Sequence, residues 1–449
     1  MAPGRTKSRY RSASGPFRRW RSRWHRLIRR LAAAAVVLAA AVIIAVPRPH
    51  SGVVQLAPGV TELHSEMVLR AGTRLTGAAS GSVLRAARDF HGRALVVVAG
   101  NDVALRGFTL DGNRAALEIQ AGLPAYDTPF ARYTSNNGVF AEGVTALAIE
   151  GVDFREIAGF AILVSRSRNV TIDRVRVSDS GSRNAAGRNN TTGGILLEEG
   201  VTDFRVTRSE LRNILGNGVW THSLYTSPRN ARGLFAENRF DTIGRDALQA
   251  GHVTAITVEG NTGTHIGYPE AAIDAEGRAI PVAIDTAGNV DHSVYAWNQF
   301  TAIRGKCIDL DGFHDGEVRA NVCVDVAGYG IVMNNTNPDM QSSRVRIEGN
   351  RLENVEYGGI FVIGTDNVIA RNRLLNLNTA HCGCPFTPGE PDMFRSGIYL
   401  GKGAERPAAS RGNLIEENEI TGYRMSAACI GTAPGIGPEW NTLRKNQCR

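Results

Sequence analysis

The chain has 449 residues, with 51 Lys+Arg against 43 Asp+Glu and a formal net charge of +8. Twelve of the basic residues and none of the acidic ones lie in residues 1–50, leaving 39 basic and 43 acidic side chains, a net of −4, for residues 51–449. A body of that charge lacks the basic footprint that nucleic acid requires, and a composition 43% hydrophobic and 21% charged excludes a disordered chain.

Residues 1–30 read as a basic cytoplasmic tail. Leu31–Val46 follows without a charge, and Pro47 ends the run. As a helix these residues would span about 24 Å, short of a typical hydrocarbon core. The segment is either a signal-peptide hydrophobic region or a short signal anchor. No small-x-small cleavage pattern follows it, which favours an uncleaved anchor. The positive charges keep the N-terminal side cytoplasmic, so the expectation is a membrane-anchored, extracytoplasmic body, periplasmic or at the cell surface.

The body, residues 52–449, is rich in turns, with 50 Gly in the whole chain. Short strand-and-turn runs open it, Leu56 to Gly59, Leu75 to Gly77 and Phe108 to Gly112. A repeat then takes over: an Asn, an apolar residue two further on, and another three beyond that. It reads Asn238, Phe240 and Ile243, and recurs from Asn261, Asn298, Asn321, Asn350, Asn372, Asn418 and Asn446. The shortest gaps are 22–23 residues, with Val152, Asp173 and Ser209 expected at the same place upstream. No helical period accompanies it. A unit of that length with short strands is one rung of a parallel β-helix, whose coils stack about 4.8 Å apart and turn each position into a column. The Asn column can then bond the backbone of neighbouring coils.

Six cysteines, Cys307, Cys323, Cys382, Cys384, Cys429 and Cys448, all lie in the last third. An even count in an exported body suggests up to three disulfides, with at least one expected among the last four. Cys382 and Cys384 lack a second pair at metal-ligand spacing, so no metal is expected there.

With these features residues 52–449 resemble the right-handed parallel β-helix (pectin lyase fold) superfamily of pectate lyases, polygalacturonases and mannuronan C5-epimerases. The resemblance implies an all-β solenoid of about eleven coils, preceded by the single N-terminal hydrophobic helix. It also implies that the strand after each variable turn faces substrate.

In that strand one outward column reads Leu163, Leu196, Trp220, Gln249, Asp285, Asp309, Val332, Phe361 and Tyr399. The next reads Ser165, Glu198, His222, Gly251, Ala287, Asp311, Asn334, Ile363 and Gly401. Glu198, His222, Asp285, Asp309 and Asp311 are the candidate catalytic residues. Neighbouring carboxylates cannot all ionise cheaply, so one keeps a proton and can act as a general acid. Gln249, Asn334, Arg304 and Lys306 are candidate polar contacts, with Trp220, Phe361 and Tyr399 as sugar-stacking aromatics. Ca²⁺ is compatible with the three Asp residues. Insertions at 180–193, 267–281 and 378–396 before the strand, and 223–230 and 335–341 after it, should wall a groove. The expected function is action on a polysaccharide by hydrolysis, β-elimination or C5-epimerisation. The alternative is a non-catalytic glycan- or protein-binding β-helix of the cell envelope.

Overall fold

The computed structural model describes residues 52–118, 124–273, 281–334, 342–403, 408–422 and 429–449. The N-terminal hydrophobic segment and the insertion 335–341 lie outside them. Among the described residues no helix is long and apolar enough to cross a membrane.

Three ladders of parallel strands wind around one apolar core. Alternation explains the inner face of each. In the ladder that carries the candidate site, Leu248, Ile284, Ile308, Ile331, Ile360 and Ile398 stand in register and point inward. In a second ladder the inner column runs from Val54 through Leu75, Leu105, Ile149 and Ile172 toward Leu443. Stacking therefore begins well before Val152. The column passes through fourteen strands, more than the expected eleven coils. The extra coils precede the Asn column, so no repeated Asn marks them in the sequence.

The Asn column is continuous from Asn238 to Asn446. Each side-chain oxygen accepts the backbone N–H of the Asn one coil earlier, at 2.9–3.1 Å. Each side-chain N–H₂ donates back to a strand carbonyl, such as Asn298 Nδ2 to Val258 O at 2.9 Å. Ser209 continues the column, its N–H bonding Asn238. Val175, not Asp173, stands there one coil earlier, because Arg176 pairs with Asp153 and Glu210. Asp173 faces outward and pairs with Arg208 and Thr207. A second Asn column, Asn367, Asn413 and Asn441, occupies another corner. All six cysteines are paired, as Cys307–Cys323, Cys382–Cys384 and Cys429–Cys448. Cys307 and Cys323 lie in the core.

Candidate functional site

Register places the first outward column as the sequence pattern has it and the second as far as Asn334; Ile363, expected outward, packs in the core. Leu163, Leu196, Trp220, Gln249, Asp285, Asp309, Val332, Phe361 and Tyr399 are successive neighbours. So are Ser165, Glu198 and His222, and separately Gly251, Ala287, Asp311 and Asn334.

The polar centre of this face is a cluster of Asp246, Asp285, Asp309 and Lys306. Asp285 and Asp309 are cross-strand neighbours. Lys306 starts the Asp309 strand and its ammonium pairs with the Asp309 carboxylate. Asp246 sits at the turn one coil before Asp285, its Oδ1 accepting the Val282 N–H at 2.9 Å. Gln249 Nε2 donates to Asp285 Oδ2 at 2.6 Å, and Asn217 Nδ2 donates to Gln249 Oε1 at 2.8 Å. This chain of amides fixes the Asp285 carboxyl before any ligand arrives. Asp309 is 7% exposed, and its second oxygen, Oδ1, is buried without a hydrogen-bond partner among the described residues.

Burial governs the electrostatics. It pushes Asp246 up to about 6, helped by repulsion from Asp309 against the pull of Arg245. It pushes Asp285 well above the usual carboxylate range, with Asp246 and Asp309 adding repulsion. Burial disfavours the Lys306 cation, yet the charge and hydrogen bond of Asp309 hold its pKa above the ordinary value. Three carboxylates around one ammonium thus keep at least one proton near neutrality. Asp246 and Asn217 were not legible as site residues. Asp246 is two residues before the inward Leu248, so alternation alone assigns it to the core row.

Asp311 and Asn334 lie beyond the cluster in the second column, half-buried. Arg304 is engaged by the preceding insertion: it pairs with Glu270 and lies 5.9 Å from the Tyr268 ring.

The structure takes the remaining candidates out of the groove. Glu198 is fully buried, and its carboxylate accepts the N–H groups of Phe130 and Ala131 at 3.0 and 2.8 Å. Those residues belong to a helical turn, Phe130–Tyr133, in an insertion whose covering role the repeat did not reveal. Burial raises Glu198 to about 7 and lowers His222 to about 4. Trp220 is not an open stacking surface: Phe130 meets it edge-on at 5.0 Å. Phe361 and Tyr399 are buried as well, 6.1 Å apart and nearly parallel. Large aromatics on an outer face are covered because exposing them costs roughly 25 cal/mol per Å².

Among the described residues one group brings cation-donor atoms together. Glu198, Glu199 and His222 bring ligand atoms within 4.8 Å of one another. Their carboxylates, however, already hold two segments: Glu198 the Phe130 turn, and Glu199 the Leu224 N–H and Ser227 hydroxyl. Of Asp285, Asp309 and Asp311, the first two suit Ca²⁺ poorly. Lys306 already pairs with Asp309, and Asp285 favours its protonated form, which binds cations weakly.

No family model matches the chain, and no curated protein matches it in sequence. Solved structures do. The periplasmic alginate epimerase AlgG superposes with a TM-score of 0.53 at 12% identity, over 89% of this chain and 84% of that one. The catalytic domain of GH87 alpha-1,3-glucanase, solved with tetrasaccharides, gives 0.50 at 12% identity over 88% and 64%. The tailspike protein of E. coli bacteriophage HK620, solved with a pentasaccharide, gives 0.50 at 11% identity over 85% and 71%. Identities this low speak for fold alone. With three stacked parallel ladders and a continuous Asn column, the chain has the parallel β-helix fold that these structures share.

Proposed function

We propose that the protein is an exported, membrane-tethered enzyme that cleaves a glycan by acid–base hydrolysis at the Asp246–Asp285–Asp309–Lys306 cluster. One observation carries this reading: buried carboxylates that favour the proton stand beside one that is paired with an ammonium. Glycoside hydrolysis uses that division of labour. In it Asp285, held by Gln249, gives its proton to the glycosidic oxygen. Asp309, in the adjacent coil and paired with the Lys306 ammonium, stabilises the cationic sugar or takes the proton of the attacking water. Asp246 and Lys306 set the proton balance of the pair. The glycan ligands of structural neighbours support a carbohydrate substrate. The apolar leader and paired cysteines support export.

The test uses the full-length protein in detergent with a polysaccharide panel that includes alginate and α-1,3-glucan. New reducing ends report hydrolysis, absorbance at 235 nm reports elimination, and NMR reports epimerisation. Reducing ends formed by wild type and lost in Asp309→Asn, without unsaturated product, are expected. Glycan binding with no turnover would put the non-catalytic binder in its place.

A further inference from the structure

The outer face of the site ladder is open over only a short stretch. On its N-terminal side Val97, Phe140, Leu163, Leu196 and Trp220 pack with Phe130 in one buried apolar cluster. The two hydrogen bonds to Glu198 clamp that turn in place. On its C-terminal side the insertion before Ile398 lies over Phe361 and Tyr399. Glu390 accepts the Lys402 and Gly403 N–H groups at 2.7 and 3.0 Å, and the Tyr329 hydroxyl donates to Met393 O at 2.8 Å. A side chain added at Gly401 would strike both Phe361 and Glu390, so both side chains crowd that position.

Between these two covers are the coils of Gln249, Asp285, Asp309 and Val332, about 19 Å along the axis at the usual strand spacing. The flanks are also built up. Asn189 N donates to Ala272 O at 2.7 Å, tying two insertions together on one side. On the other, Tyr225 is 66% exposed and packs edge-on against His252 at 4.3 Å. Its hydroxyl lies where a Gly288 side chain would be, beside the exposed Ala287, which is two residues along the strand from Asp285.

Resting on the proposed function, we infer that this closed-ended site takes the terminal residues of a glycan, or a short oligosaccharide, and that Tyr225 is the stacking surface for one sugar ring. A long chain lying along the solenoid axis would collide with the Phe130 turn at one end and Glu390 at the other. An aromatic face beside small residues is the arrangement that binds the apolar face of a sugar.

The experiment compares cleavage of polymeric alginate and α-1,3-glucan with cleavage of their short oligosaccharides, using the full-length chain. Reducing ends should accumulate while viscosity holds, and one small product should dominate from the first time points. Tyr225→Ala, at an exposed position, should raise KM on short oligosaccharides at least several-fold and leave kcat within about twofold. A rapid fall in viscosity after few cuts would overturn this inference while leaving hydrolysis intact. An unchanged KM in Tyr225→Ala would remove the stacking role. Absence of turnover on every glycan would sink the proposed function, and this inference with it.

Discussion

Asp285 and Asp309 are the same side chain one coil apart, and their neighbours give them opposite tasks. Gln249 offers Asp285 one neutral donor, whereas Lys306 offers Asp309 a full charge. Asp309→Asn should lower turnover by about 10²–10⁴-fold, the usual contribution of positioned proton transfer, with the thermal midpoint little changed. Equal turnover in the variant would make the cluster incidental. Lys306→Met tests the balance differently. Lys306 lowers the proton affinity of both Asp246 and Asp285. Removing it must therefore tighten the retained proton and move the alkaline limb of residual activity to higher pH. A shift to lower pH would contradict the assignment. Asp246 adds a stability signature. Its folded pKa of about 6 exceeds the ordinary aspartate value of 3.8, so the folded state binds the proton more tightly. Its contribution is therefore fully present below pH 3.8 and is lost as pH rises through about 6. Asp246→Asn, which keeps an acceptor for the Val282 N–H, should lose less thermal stability between pH 5 and pH 8 than wild type, with Asp285 and Glu198 supplying the loss that remains. Wild type should lose stability across that interval, and an equal loss in both proteins would refute the shift.

Among the elements, the Asn column shows which features a sequence can display. Each Asn recurs because the coil forces the same unmet backbone N–H at the same corner, so repetition in space becomes repetition in sequence. The columns of the site strand were legible for the same reason, down to the adjacency of Asp285 and Asp309. What was not legible comes from segments that leave the repeat. Leu163, Leu196 and Trp220 look like an outward apolar stripe until the Phe130 turn is seen to cover them. Asp173, 21 residues after Val152, falls short of the repeat, while Val175, 23 residues after it, keeps the register. Asp246 was masked by its core-row parity. The column makes a graded prediction. Asn298→Ala removes an acceptor used by Asn261 and a donor used by Val258, all fully buried. Each buried group left unpaired should cost about 1–3 kcal/mol. Asn446→Ala, at the partly buried last coil, should cost distinctly less in denaturant unfolding. Equal costs would mean that the ladder does not support the interior coils.

For the whole molecule, charge and redox chemistry bear on the same question of compartment. Eleven basic residues ahead of the apolar run Leu31–Val46, and a net −4 body after residue 50, are the asymmetry expected of a chain that keeps its N-terminus in the cytoplasm and exports the rest. The body pairs all six cysteines, and a reducing cytoplasm opposes three such bonds at once. Cys307 and Cys323 are both in the core, so their pairing has to be complete before the coils around them close. These arguments are independent, one from residues 1–50 and the other from residues 307–448. Together they predict the thiol state in living cells. Cells expressing the full chain are quenched in acid and alkylated under denaturing conditions without reductant. Alkylation should find the cysteines blocked, and added protease should degrade the body once any outer barrier is opened. A variant with Arg18, Arg19, Arg21 and Arg23 changed to Glu should orient less efficiently and show alkylated thiols in proportion to the misplaced fraction. Six reactive thiols in the wild-type chain, with the body resistant to external protease, would place it inside the cell.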